Sequence, residues 1–131
     1  MDFDDYIGIP FKAMGTTKEG CNCWALVCMI YKDHLGIDLP TFAEYGAPKT
    51  TEELIKITKV FRENKLNWIN VKKPKFYDVI LLRSGSMLYH AGMVIGKGQM
   101  IHIDKGVNSI IESYTSKMWK DKVEGFYRYA E

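Results

Sequence analysis

Three side chains in this sequence have the types and spacing that nucleophilic catalysis needs. Cys23 lies at the predicted start of a helix, while His90 and His102 lie twelve residues apart in a segment predicted to form strands. A thiol at a helix N-terminus faces the positive end of the helix dipole, which favours the thiolate. A thiolate, an imidazole that takes up its proton and a third polar group that orients the imidazole form a common nucleophilic arrangement. We therefore predict a relay of Cys23, His90 and His102.

The other cysteines and the third histidine are predicted to be structural. Cys28 lies five residues after Cys23, well round the helix and among apolar neighbours, and Cys21 precedes the helix. Cysteine is often a small buried core residue. His34, late in the helix, is expected to lie at the surface or to cap the helix C-terminus. Taken alone, His102 fits a buried strand histidine as well as it fits a catalytic one.

Three other chemical interpretations are disfavoured by spacing. Zinc sites normally place two to four residues between paired cysteines, whereas only one residue separates Cys21 from Cys23 and no second pair exists. We therefore predict no metal and no cofactor. The run 96–98 lacks the further glycines and the Ser/Thr of a phosphate loop and precedes a strand, so it is read as a tight turn. The local signature of papain-type proteases also fails, because it needs one more residue between the cysteines.

Two helices are predicted in the first half of the chain. Apolar residues recur at helical spacing from residue 23 to about 35, with Asn22 as the N-cap and Gly36 placed to end the helix. A second helix should begin at Thr50 or Thr51, because Thr50 and Glu53 form a capping box, and should end near Asn64.

The second half of the chain is predicted to form strands. The candidate strands are 68–71, 78–83, 91–95, 99–103, 108–113 and 125–129. The connections are too short for parallel crossovers, so the fold class is α+β, with the N-terminal helices packed on one face of an antiparallel sheet. The turn at 96–98 should place His90, just before one strand, beside His102 on the next.

Composition limits the functions that the chain can have. Its 131 residues fit one domain, 1–131, and 47% of them are apolar. A net charge of +2 predicts no nucleic-acid partner, and the longest apolar run, 23–30, is too short for membrane insertion. Three cysteines do not make a disulfide framework. The acidic start has no signal-peptide pattern, so we expect no secretion by the general route.

Seven ordered segments carry a family pattern. They are 6–11, 20–27, 77–80, 90–96, 100–102, 111–119 and 123–128. The segment 20–27 reads Gly-Cys-Asn-Cys-Trp-Ala-Leu-Val, and 90–96 reads His-Ala-Gly-Met-Val-Ile-Gly. Taken in this order and spacing, they resemble the NlpC/P60 cysteine peptidases, in particular the bacteriophage tail-associated branch.

The resemblance implies a fold, an activity and a setting. It implies a papain-like α+β core and hydrolysis of peptidoglycan stem peptides, commonly at D-γ-glutamyl bonds to a diamino acid. Cys23 matches the nucleophile, His90 the general base and His102 the third polar residue. The resemblance to the phage branch implies a protein of a phage or prophage tail, with other tail proteins as partners, that acts in cell-wall penetration.

The sequence departs from the family pattern around the nucleophile. The family usually has Asp before the nucleophile and Ser-Gly after it, where this chain has Asn22, Trp24 and Ala25; the Trp is usual for the phage branch. Many members carry a Tyr twelve residues before the nucleophile, where this chain has Phe11. Phe11 keeps open an alternative, a tail-assembly structural protein with weak or no hydrolase activity. A permuted lipid acyltransferase is disfavoured because its histidine precedes its cysteine.

Overall fold

A computed structural model describes residues 3–40, 51–85 and 87–130 of the chain. Within these residues the helices are α1 (Cys23–Ile30) and α2 (Thr51–Asn64). The strands are β1 (Thr16–Thr17), β2 (Gly20–Cys21), β3 (Trp68–Val71), β4 (Val79–Ser84), β5 (Met87–Gly96), β6 (Gln99–Asp104), β7 (Val107–Ser113) and β8 (Val123–Tyr129). The predicted α+β class is confirmed.

The start of α1 is fixed by Asn22, as predicted. The Asn22 side-chain oxygen accepts the Ala25 N–H at 2.9 Å, and its amide nitrogen donates to the Ala13 carbonyl at 2.9 Å. The α-helix ends at Ile30, and the chain continues as a wider π-helical turn over Tyr31–Leu35. Gly36 then ends the helical segment in the left-handed conformation at φ 67°, which glycine adopts without steric cost.

Replacing Asn22 with alanine is expected to lower the free energy of unfolding by about 1–2 kcal/mol, because the orphan N–H of Ala25 and the Ala13 carbonyl both lose a partner. Urea denaturation measures the change. Asn108→Ala, at an exposed position of β7, is the matched control and should stay within about 0.5 kcal/mol of wild type. Equal stabilities for the two variants would contradict the capping role.

The main sheet has six strands in the order β3-β8-β4-β5-β6-β7, and every neighbouring pair is antiparallel. The largest difference from the predicted strand boundaries is at the start of β5, while the starts of β4, β7 and β8 differ by one or two residues. β5 begins at Met87 rather than at 91, because its pairing with β4 continues across a bulge, with Leu82 opposite His90 and Arg83 opposite Leu88. His90 therefore lies inside the strand, not before it.

The two faces of the sheet are covered differently. Both helices pack on one face, where α1 and α2 contact β5 and the Thr58 hydroxyl donates to the Leu88 carbonyl at 2.8 Å. The opposite face has a smaller apolar cluster, which includes Val94 and Met100, and Trp119 covers it with only 6% of its surface exposed. The helices lie on one face as predicted, and the segment after β7 closes the other.

The predicted start of the second helix falls partly outside the described residues. Thr50, the predicted cap, lies outside them, while α2 is described from Thr51 and ends at Asn64 as predicted. None of the helices in the described ranges is long and apolar enough to cross a membrane.

Candidate active site

The Cys23 thiol lies against β5 at Ala91, the residue after His90. Cys23 is the first residue of α1. The backbone N–H groups of Ala91, Trp24 and Cys23 itself lie close enough to the sulfur to lower the pKa of the thiol. The helix start therefore surrounds the thiol with N–H donors, as the sequence predicted.

Burial nevertheless outweighs these donors. It raises the pKa of the Cys23 thiol to about 11, against the lowering effect of the Ala91, Trp24 and Cys23 N–H groups, and the Asp104 carboxylate raises it further. The N–H groups at the helix start therefore favour the thiolate, as predicted, but removing a charge from water costs more free energy than they return. At neutral pH the resting thiol is protonated.

This raised pKa predicts the pH dependence of alkylation. Since the thiolate is the reactive form, the rate of Cys23 modification by iodoacetamide should rise through pH 8 and level off only near pH 11. Mass spectrometry of the native protein, with the urea-unfolded chain as reference, measures the rate. A plateau below pH 8 would mean that the N–H donors stabilise the thiolate more than burial penalises it.

The two histidines meet as the hairpin predicts. His90 Nε2 lies 2.9 Å from His102 Nδ1, and the rings are nearly perpendicular with centroids 5.1 Å apart. Each residue is 2% exposed. Burial, and then the nearby His102, lower the pKa of His90 to about 3, so His90 is neutral and able to accept a proton at neutral pH.

Two further residues, Glu112 and Trp119, complete this cluster and were not singled out from the sequence. Glu112 Oε2 lies 2.5 Å from His102 Nε2 and accepts the Trp119 indole N–H at 3.3 Å. The Trp119 ring stacks on His90, with centroids 5.8 Å apart. A signal was present for Glu112: His102 pairs with Ile110 across β6 and β7, and the residue two positions on shares its face of the sheet.

The remaining cysteines and His34 lie outside the cluster. Cys21 and Cys28 are buried core residues, as predicted, and burial raises the pKa of each thiol to about 12. His34 packs against Phe3, and its Nδ1 lies 3.0 Å from the Tyr77 hydroxyl. Within the described residues, no group of three or more His, Cys, Asp or Glu side chains is arranged to hold a metal ion.

Phe11 and Asn22 stand where the family pattern has Tyr and Asp, and each makes specific local contacts in this structure. Phe11 forms a β-bridge with Cys21, and its half-buried side chain packs against the core beneath α1. Asn22 uses both its oxygen and its nitrogen, whereas an ionised aspartate could not donate to the Ala13 carbonyl. An amide therefore suits this position in this chain.

The α+β fold is that of the papain-like cysteine peptidases. A thiol at a helix start lies against the strand that carries one histidine of a buried, hydrogen-bonded pair. The sequence model of the NlpC/P60 family matches residues 8–128, so the chain belongs to that family. The murein DD-endopeptidase MepS/murein LD-carboxypeptidase of Escherichia coli K12 is 26% identical over 120 residues, which are 92% of this chain and 55% of that protein. The gamma-DL-glutamyl hydrolase of Bacillus subtilis is 29% identical over 129 residues, 96% of this chain and 27% of that protein.

A solved structure supports the same fold. The NlpC/P60 family protein of Bacillus cereus superposes with a TM-score of 0.69 at 23% identity, covering 96% of this chain and 37% of that one. The chain thus spans about half the length of the E. coli relative and a smaller share of the others.

Proposed function

We propose that this domain is a cysteine peptidase that hydrolyses peptidoglycan stem peptides. Cys23 is the nucleophile, His90 the general base and His102 the third polar residue. One observation carries the proposal. The Cys23 sulfur lies near the backbone N–H of Ala91, the residue after the buried His90, and His90 is hydrogen-bonded to His102. The family membership supports the same chemistry.

The reaction begins from a neutral pair. The pKa of Cys23 is near 11 and that of His90 near 3, so at neutral pH the thiol is protonated and the imidazole is neutral. The thiol keeps its proton until the sulfur attacks the carbonyl carbon of the substrate. The sulfur then bonds to that carbon while His90 takes the proton and later gives it to the leaving amine. Water hydrolyses the resulting thioester, with His90 again taking a proton. Backbone N–H groups at the start of α1 stabilise the oxyanion.

The bond that we propose is the D-γ-glutamyl bond to a diamino acid. The B. subtilis relative is named a gamma-DL-glutamyl hydrolase, whereas the E. coli relative is named a DD-endopeptidase and LD-carboxypeptidase. Both bond types are therefore represented among relatives of similar identity. The resemblance of this chain to the family as a whole favours the γ-glutamyl bond, and the relatives' names make the D-alanyl bond the competing outcome.

Two synthetic substrates decide between these bonds. One peptide carries only the γ-D-glutamyl bond to a diamino acid, and the other carries only a bond from D-alanine to a diamino acid. Mass spectrometry after incubation with the wild-type protein should show cleavage of the first peptide alone. Cleavage of the second alone would overturn the bond assignment. Cleavage of neither, together with intact muropeptides from whole sacculi, would favour a structural protein that retains the fold.

We further propose that the protein is made in the bacterial cytoplasm and acts as part of a phage or prophage tail. The segments 20–27 and 111–128 support this setting because they resemble the tail-associated branch of the family. Mass spectrometry of purified virions should detect the protein in the tail fraction. Its absence from virions that carry their other tail proteins would overturn the proposed setting and leave the proposed chemistry untouched.

A further inference from the structure

We propose that Glu112 is a positioning residue of the relay: acting through His102, it fixes the His90 tautomer in which Nε2 carries the hydrogen and Nδ1 is the basic nitrogen. This inference rests on the proposed function in one respect, the assignment of His90 as the base. The contacts that carry it are described above, and they run in an unbroken series from Trp119 through Glu112 and His102 to His90.

The series starts from groups whose roles are fixed by their chemistry. An indole N–H can only donate, so the Glu112 oxygen that it contacts at 3.3 Å must accept. The same oxygen lies 2.5 Å from His102 Nε2. Since a carboxylate accepts, His102 must carry its proton on Nε2 and donate it to Glu112.

The consequence passes to the next ring. When His102 carries a single proton, on Nε2, its Nδ1 is unprotonated and can only accept. Its partner at 2.9 Å is His90 Nε2, which must therefore carry a hydrogen and donate it. The remaining nitrogen of the neutral His90 ring, Nδ1, is left without a proton. This is the form that a general base needs, and the opposite tautomer could not take up the thiol proton.

Trp119 holds this arrangement in place. Its ring stacks on His90 at 25° and meets the edge of His102 with centroids 5.0 Å apart, while its N–H anchors Glu112. Glu112 faces His102, and on the Trp119 side of the cluster Lys122 Nζ lies 5.2 Å from the Trp119 ring centroid. The Glu112 side chain is 35% exposed, so its carboxylate stays in contact with water while it accepts the hydrogen bond from the buried His102 ring.

The negative charge of Glu112 has a second effect during turnover. When His90 Nδ1 takes the proton from Cys23, a positive charge appears on a ring that is 2% exposed. The His90 Nε2–H then donates more strongly to His102, and the carboxylate at the end of the series offsets the charge. The proton passes to the leaving amine, and Glu112 gains and loses none.

Two substitutions separate the tautomer effect from the charge effect. Glu112→Gln keeps an oxygen that can accept from His102 and Trp119 but removes the charge, so we expect kcat/KM on stem peptides to fall about 10-fold. Glu112→Ala removes both and should cost about 100-fold, the upper part of the range for partners that orient an imidazole. KM should change little, because Glu112 contacts His102 and acts through it rather than by binding the substrate. Glu63→Gln, on an exposed side chain of α2, is the matched control.

Nitrogen NMR of the imidazoles tests the tautomers without any need for activity. In the wild-type protein we expect His90 protonated at Nε2 and unprotonated at Nδ1, with the same state in Glu112→Gln and a mixture of tautomers in Glu112→Ala. If Glu112→Ala does not fold, the wild-type spectrum decides the matter: a His90 ring protonated at Nδ1 and unprotonated at Nε2 would overturn the proposal.

Unchanged tautomers together with unchanged kcat/KM in Glu112→Ala would overturn the proposal. If the wild-type protein cleaves no stem peptide, the proposed function fails, while the tautomer spectra still decide the role of Glu112.

Discussion

Replacing Cys23 with serine should reduce kcat/KM on stem peptides by about 10⁴-fold or more, in the range found when an enzyme nucleophile is removed. The physical reason is the acidity of the attacking group. His90 is a weak base in this site, with a pKa lowered to about 3, and it can assist a thiol far better than the much less acidic hydroxyl of serine. Release of the product amine from a defined peptide, followed by chromatography, measures the rate.

The neighbouring cysteine provides the control. Cys28→Ala removes a buried thiol of the same helix whose sulfur lies 3.5 Å from the Pro40 carbonyl, so it should keep the rate within a few-fold even if the stability of the protein falls. Comparable losses in Cys23→Ser and Cys28→Ala would mean that the activity depends on the packing of α1 and not on a particular thiol. Far-ultraviolet circular dichroism confirms that both variants are folded.

Replacing His90 with glutamine should lower kcat/KM by about 10³-fold at neutral pH, because the variant lacks the imidazole that takes the proton of a thiol whose pKa is near 11. The loss should depend on pH in a definite direction. As the pH rises towards 11, the thiolate of the variant forms without a base, so the difference from wild type should shrink. In the wild-type protein, base function should persist well below pH 6, because His90 is protonated only near pH 3.

His34→Gln is the matched substitution for this experiment, since His34 is a half-buried histidine that contacts Tyr77 and lies outside the relay. Its pH profile should coincide with that of wild type. A His90→Gln variant whose loss is the same at every pH would show that the ring serves the packing around Trp119 and does not transfer a proton.

Patterns local in the sequence predicted most of the elements. The Asn22 cap, the Gly36 end and the hairpin around 96–98 were predictable because a few adjacent residues determine each of them. The sheet order could not be predicted in the same way, because β8 lies between β3 and β4, and that choice depends on which surfaces pack together. The start of β5 was missed because a bulge interrupts the alternation of buried and exposed residues.

The candidate site was predictable in its reactive residues but not in their environment. Cys23 and the two histidines could be found because few residue types perform nucleophilic catalysis. Glu112 could not be distinguished from an ordinary surface glutamate until β7 was paired with β6. The thiol pKa could not be predicted, because the helix dipole is visible in the sequence whereas the burial that opposes it is a property of the packed structure.

The position of β8 has a consequence for how the chain acquires its structure. This last strand, Val123–Tyr129, pairs with β3 on one side and β4 on the other, so it joins two segments that are made much earlier. Until it is synthesised, β4 is an unpaired edge whose Ile80 and Leu82 lack part of their cover. Trp119 also follows both histidines in the chain. A chain synthesised only as far as β7 therefore lacks the Trp119 contacts of the relay, and the sheet that carries the relay is complete only when β8 is in place.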